Sequence, residues 1–269
     1  MIPRRPGRLH DGAVTRGRWI ALVTAAAVVL AAVAVVFVVR GAGERDRPGP
    51  DQAAAGTVLL VPGYGGSTTA LTRLAELLEA DGRPARVVAL PGDGTGDLVV
   101  SAGTLEQAVR TALDDGAPSV DIVGYSAGGV VARLWVQRHD GARFARRVVT
   151  LGSPLHGTRL AGLGAALAPD SCPVACRQLA PGSDLLTGIA DDDLPSGLPW
   201  LSIWTEDDET VQPPDSARLD GAVNVPMQGL CPGLTVSHSE LPTNPAVSAL
   251  VRQALSGATL TTPKACPTA

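Results

Sequence analysis

The stretch Val120-Asp121-Ile122-Val123-Gly124-Tyr125-Ser126-Ala127-Gly128-Gly129-Val130-Val131-Ala132-Arg133-Leu134-Trp135-Val136 decides how the rest of the chain is read. It begins as a short apolar run, turns through a glycine-rich corner, and continues with apolar residues at helical spacing. The corner, Gly124-Tyr125-Ser126-Ala127-Gly128, is a G-x-S-x-G pattern. Between a strand and a helix this pattern makes a nucleophile elbow, a turn so tight that the serine is held under backbone strain at its tip. The flanking glycines are required because a Cβ there would strike the neighbouring strand or helix. The serine hydroxyl then lies at a helix N-terminus, where the positive partial charge favours a developing anion. At average glycine usage, about 7%, the five-residue pattern arises in roughly one chain in ten of this length, so its surroundings must carry the argument.

Working outward, apolar runs recur between glycine-rich corners. Thr57–Val61 reads as a strand running into Pro62-Gly63-Tyr64-Gly65-Gly66, followed by a helix over 69–80 with Leu71, Leu74, Leu77 and Leu78 on one face. Arg86–Leu90 reads as a second strand and residues 101–114 as a second helix. After the elbow come strands at Arg147–Val149 through Leu151, at Leu201–Trp204 and at Ala222–Val225, and a last helix over Pro245–Leu255. Strands alternating with helices at this spacing predict a mostly parallel sheet of about six strands with helices on both faces. Ligands of such sheets gather outside the carboxyl ends of the strands, and each glycine-rich loop falls at such an end. Apolar residues make up 45% of the chain and aromatics only 3%, so the core must be built from Ala, Val and Leu.

The N-terminus carries a different signal. Arg4, Arg5, Arg8, Arg16 and Arg18 precede an uncharged apolar run from Trp19 to Val39, closed by Arg40. About 21 residues at 1.5 Å each span roughly 30 Å, the thickness of a bilayer core. The charge in front predicts a cytoplasmic N-terminus and a translocated remainder. A cleaved signal peptide is the other reading, but its apolar region is usually about 7–15 residues long. The expected organisation is a basic cytoplasmic tail over 1–18, a membrane-spanning signal anchor over 19–39, a flexible linker over 40–55 and one catalytic domain over 56–269. If the segment is cleaved the domain is secreted; either way it lies outside the cytoplasm.

The net charge of −4 divides unevenly: residues 1–40 hold six Arg and one Asp, leaving 16 basic and 25 acidic residues beyond, a balance of −9. A domain that acidic argues against a nucleic-acid partner. The composition fixes no oligomeric state.

A serine nucleophile needs a base, itself held by a carboxylate. Of four histidines, His10 precedes the apolar run, and His139 ends the helix after the elbow, about 20 Å from Ser126. His156 lies on a strand-end loop, and His238 in a loop before the final helix. In elbow-bearing parallel sheets the order along the chain is Ser, acid, His, which selects His238. The acid should follow the strand Leu201–Trp204, where Glu206-Asp207-Asp208-Glu209 stand together; spacing does not separate Asp207 from Asp208. Two backbone N–H groups should bind the oxyanion, one from Ala127 and one from Tyr64 in the loop after the first strand.

These motifs in order, Val61-Pro-Gly-Tyr-Gly-Gly66, Gly124-Tyr-Ser-Ala-Gly-Gly129, Thr150-Leu-Gly-Ser-Pro-Leu-His-Gly-Thr158, Ser202 to Pro213, and Leu219 to Val225 with Ser237-His238, resemble the class 2 bacterial lipases of the α/β-hydrolase superfamily over about residues 56–257. The resemblance implies an α/β-hydrolase fold and a lipase or carboxylesterase activity on lipid or other carboxylic esters, with no cofactor. It also implies that Asp208, three residues before Val211, is the acid. The chain departs from the family at Pro62 and at Tyr125, where histidine is usual. Four cysteines, Cys172, Cys176, Cys231 and Cys266, on the outer side of a membrane imply disulfides, and three pairings exist. The related actinobacterial lipases imply Cys172–Cys176 and Cys231–Cys266. No His or Cys completes a metal-ligand pattern around them. The apolar segment Leu160–Ala168 either covers the site, shapes an acyl pocket, or packs as an ordinary helix. Two other functions share these features: acyl transfer to a cell-envelope alcohol, and a non-catalytic membrane-anchored binding module.

Overall fold

The computed structural model describes residues 49–189, 194–257 and 259–267, all within the second of the two units into which the chain divides, Gly49–Ala269. The basic tail, the apolar run 19–39 and most of the linker expected over 40–55 lie outside the described residues. Among the described residues no helix is long and apolar enough to cross a membrane.

Six parallel strands form one sheet: β1 (Thr57–Val61), β2 (Ala85–Val87), β3 (Val120–Tyr125), β4 (Ala145–Leu151), β5 (Trp200–Trp204) and β6 (Val223–Pro226). Their spatial order is β2-β1-β3-β4-β5-β6, so the elbow strand β3 is central. The register places Leu59 beside Ile122, Ile122 beside Val148, Val149 beside Leu201 and Ile203 beside Val225. Strands buried on both faces need continuous apolar runs, and β1 and β5 are buried at every position.

The helices are α1 (Thr69–Ala80), α2 (Leu98–Asp114), α3 (Ala127–Arg138), α4 (Arg159–Leu167), α5 (Val174–Gln178), α6 (Asp184–Thr187), α7 (Met227–Leu230) and α8 (Pro245–Leu255). Leu59, Val61, Ile122 and Val148 point to one face of the sheet, where α2 and α3 cover them. Val58, Leu60, Val123, Val149 and Leu201 point to the other, against α1 and α8. Helix α3 is buried from Ala127 to Val136, as a helix directly behind the central strand must be.

Several boundaries differ from the sequence reading. Strand β2 spans only three residues, because it is an edge strand paired with β1 alone. Helix α2 begins at Leu98, three residues early, where Asp97 caps it by accepting the Val99 N–H at 2.8 Å. Leu77 is exposed while Leu71, Leu74, Ala75 and Leu78 form the buried stripe of α1. Both disulfides pair as the resemblance implied, Cys172 with Cys176 and Cys231 with Cys266.

Helix α4 does not pack as an ordinary helix. Only Ala161 is buried, while Leu160, Leu163 and Leu167 face solvent. Its N-terminus is tied to the loop after β5 by the Arg159 N–H to Gln212 O bond of 2.7 Å. The Cys172–Cys176 sulfurs lie against Gly164 in its middle.

Candidate active site

The elbow forms at the end of β3. Ser126 has φ 53° and ψ −127°, a backbone region that costs a non-glycine residue about 1–3 kcal/mol. Two hydrogen bonds hold it there: its N–H donates to Leu151 O at 2.8 Å, and its carbonyl accepts from the Gly129 N–H at 3.0 Å. The chain packs so closely that a Cβ on Gly128 would stand 2.1 Å from Val61 O, and one on Gly124 2.6 Å from Gly129 Cα. Ser126 is only 8% exposed.

His238 opens a short 3-10 turn, His238–Glu240, ahead of α8. A capping box fixes that turn, with the Ser237 N–H and hydroxyl both donating to Glu240 Oε2, at 2.8 and 2.7 Å. These bonds hold the Glu240 carboxyl below its usual pKa range. The imidazole Nε2 lies 3.0 Å from Ser126 Oγ, and Nδ1 lies 2.7 Å from Asp208 Oδ2. Asp208 is buried in the loop after β5, and its other oxygen accepts the N–H groups of Thr210 at 2.9 Å and Val211 at 2.6 Å. A chain of hydrogen bonds therefore runs from Asp208 through the ring to Ser126, although the three residues are far apart in sequence.

The four-carboxylate run resolves into separate environments. Asp207 turns away from the ring, accepting from Gln228 Nε2 at 2.9 Å and from the Val236 N–H at 3.4 Å. Glu209 accepts the backbone N–H of His238 at 3.1 Å, and Gln212 donates its side-chain amide to Asp208 O. Sequence reasoning found neither Glu209 nor Gln212, since nothing in their spacing separates them from solvated loop residues. His156 Nδ1 pairs with Ser216 O at 3.0 Å, and His139 caps the C-terminus of α3.

Tyr125, where the resemblance leads one to expect histidine, donates its hydroxyl to His238 O at 3.3 Å, and its ring lies 5.2 Å from the imidazole. Burial, and then the negative charges of Asp208 and Glu209, push its phenol up to about 12. The loop after β1 comes against the serine: a Cβ on Gly63 would stand 2.8 Å from Ser126 Cβ. Tyr64 follows and is 44% exposed. The Ala127 N–H is the first of α3, and the first N–H groups of a helix have no intrahelical partner. Among the described residues no group of three His, Cys, Asp or Glu side chains could hold a metal ion.

The fold recurs in solved structures. Bacillus licheniformis lipase BlEst2 in its mature form superposes with a TM-score of 0.61 at 19% identity, over 78% of this chain and 94% of that one. The fold is the α/β-hydrolase fold. Aspergillus fumigatus lipase B gives the same TM-score at 18% identity, over 78% of this chain. This chain spans about half of that fungal protein, 54% of its length. The ydeN gene product from B. subtilis matches at 0.54 and 16% identity, over 75% of this chain and 99% of that one. No protein-family model and no curated protein matches the chain.

Proposed function

We propose that the domain hydrolyses carboxylic esters of the lipid type through a Ser-His-Asp triad. The observation that carries this reading is the hydrogen-bonded line from Asp208 through His238 to a strained, helix-capping Ser126. Ser126 Oγ attacks the ester carbonyl while His238 Nε2 takes its proton, and Asp208 holds the Nδ1–H tautomer and stabilises the imidazolium. The tetrahedral oxyanion is received by the N–H groups of Tyr64 and Ala127. On collapse, His238 returns the proton to the leaving alcohol, and water attacks the acyl-serine by the same route. Lipid-type esters are favoured by the names of the structural neighbours, lipases from A. fumigatus and B. licheniformis. They are favoured too by the solvent-facing leucines of α4, tied to the acid loop.

The domain is placed on the outer side of a membrane, held by residues 19–39. The arginines before that run and the two disulfides, which persist in oxidising compartments, support this.

The test is fluorophosphonate labelling of the full chain produced in an oxidising compartment, with the modified peptide found by mass. Labelling at Ser126 that disappears in His238→Ala, together with hydrolysis of a medium-chain ester, is the expected result. A folded, disulfide-bonded protein that takes no label would favour the binding-module reading instead. Diversion of the acyl group to added alcohol in preference to water would favour acyl transfer.

A further inference from the structure

The triad stands at the carboxyl ends of the strands. At their opposite ends lies a buried cluster of charge that the proposed reaction does not use. Arg146 and Asp121 are fully buried, and Arg147 is 2% exposed. Asp121 spends both oxygens on two other guanidiniums: Arg146 Nε at 3.0 Å and Nη2 at 2.5 Å, and Arg83 Nη2 at 2.5 Å. The C-terminal carbonyls of α8 serve as well, Leu255 O accepting from Arg83 at 2.6 Å and from Arg146 at 2.7 Å.

Arg147 is left with neutral partners. Its Nη1 donates to Ala254 O and its Nε to Gln52 Oε1 at 3.2 Å. Among the described residues Nη2 has no hydrogen-bond partner. Among the described residues the buried side-chain atoms lacking a partner are Arg83 Nε, Ser153 Oγ and Ser248 Oγ, so Nη2 is not fully enclosed. Three guanidiniums thus share one carboxylate and the negative end of a helix, roughly half a charge. Burial, and then repulsion from Arg146, hold the Arg147 guanidinium below its ordinary pKa, with Asp121 opposing. A buried cation without a charged partner is expensive, and an anion is the partner it lacks.

Arg147 lines a cleft of about 390 Å³. Gln52, Val223 and Leu260 line it too; Val223 and Leu260 pack against the same side of the sheet as Val149, giving the opening one cationic wall and one apolar wall. Residues 52, 147, 200 and 223 lie before β1 or within the first three residues of β4, β5 and β6, which places the cleft at the end of the sheet away from Ser126.

The geometry points to a second ligand site here, taking a small oxyanion, carboxylate or phosphate monoester, that bears a short apolar tail. The head pairs with Arg147, and the tail lies along Val223 and Leu260. The site is independent of the ester-hydrolase reading.

The test is the thermal midpoint of the full chain, and of Ser126→Ala, with hexanoate or hexyl phosphate against chloride at matched ionic strength. At about ten times the dissociation constant the midpoint should rise by about 3–5 °C. Acetate and inorganic phosphate, lacking the tail, should need at least about tenfold more for the same rise, as an alkyl tail loses apolar surface to the cleft. The two six-carbon probes rank the head groups, and hexylammonium, with the same tail and the opposite charge, should give no rise. Leu260→Glu should abolish the rise, and by supplying a carboxylate in cis should raise the midpoint without ligand. No rise beyond chloride, an equal rise with hexylammonium, or a rise that persists in folded Leu260→Glu would overturn the proposal. If Leu260→Glu does not fold, the comparison of hexanoate with hexylammonium on the unaltered chain decides alone.

Discussion

Replacing Asp208 by asparagine changes one atom, and the structure determines which way the new side chain must face. Asp208 Oδ1 accepts two backbone N–H groups, from Thr210 and Val211, while Oδ2 faces His238 Nδ1. If the amide nitrogen of Asn turned toward the two backbone donors, both would be left buried without an acceptor, at about 1–3 kcal/mol each. The carbonyl oxygen therefore stays on Thr210 and Val211, and the NH2 group faces the imidazole. Nδ1 must then accept, so the ring proton moves to Nε2, where Ser126 Oγ needs a base. A wrong-tautomer imidazole of this kind lowers kcat by about 10³–10⁴, or roughly 4–5.5 kcal/mol of barrier. Asp207→Asn is the matched control, because the amide oxygen of Asn can still accept from Gln228 and the Val236 N–H; its loss should stay below about tenfold. The assay is kcat/KM on a p-nitrophenyl ester, with the thermal midpoint of each variant measured alongside. If Asp208→Asn stays within tenfold of the parent, or Asp207→Asn is the more damaging change, the assignment of the acid is refuted.

Three further outcomes follow from the same structure. Gly128→Ala should lower the thermal midpoint by at least about 5 °C and abolish activity, because its Cβ would meet the backbone oxygens of Val61 and Pro62 at 2.1 and 2.6 Å; a soluble, active variant would contradict the close approach. In a Tyr64→Phe background, an ultraviolet titration should show Tyr125 ionising near pH 12, two units above a free phenol. Since the folded state holds that proton more tightly than the unfolded one, this group's contribution is complete below pH 10 and falls as pH rises to 12, which urea unfolding at pH 9 and 11 can check. Replacing Cys231 and Cys266 together by serine releases a link across 35 residues and should cost up to about 4 kcal/mol, read from the denaturation midpoint.

The central elements were legible because their signals are local. The elbow glycines, the leucine stripe of α1 and the Asn244-Pro245 start of α8 each state their structure within a few residues. The order Ser, acid, His selected His238, which the structure brings to Ser126. What could not be read depends on which side of an element is covered. Leu160, Leu163 and Leu167 look like a core stripe in sequence, and only the packing of α4, which buries Ala161 alone, reveals that they face water. Asp207 and Asp208 are neighbours whose roles diverge because one meets Gln228 and the other His238. The buried arginines of β4 carry no warning in sequence, since their counter-charge is a single aspartate in β3 and the carbonyls of a helix more than a hundred residues later.

Helix α3, buried along ten consecutive residues, has one more consequence. The serine is anchored to the least changeable part of the molecule, whereas α4, between β4 and β5, buries Ala161 alone. The outer face of α4 can therefore change without touching the elbow. An engineer could exchange Leu160, Leu163 and Leu167 for polar residues, and make that face hydrophilic, while the elbow keeps its geometry.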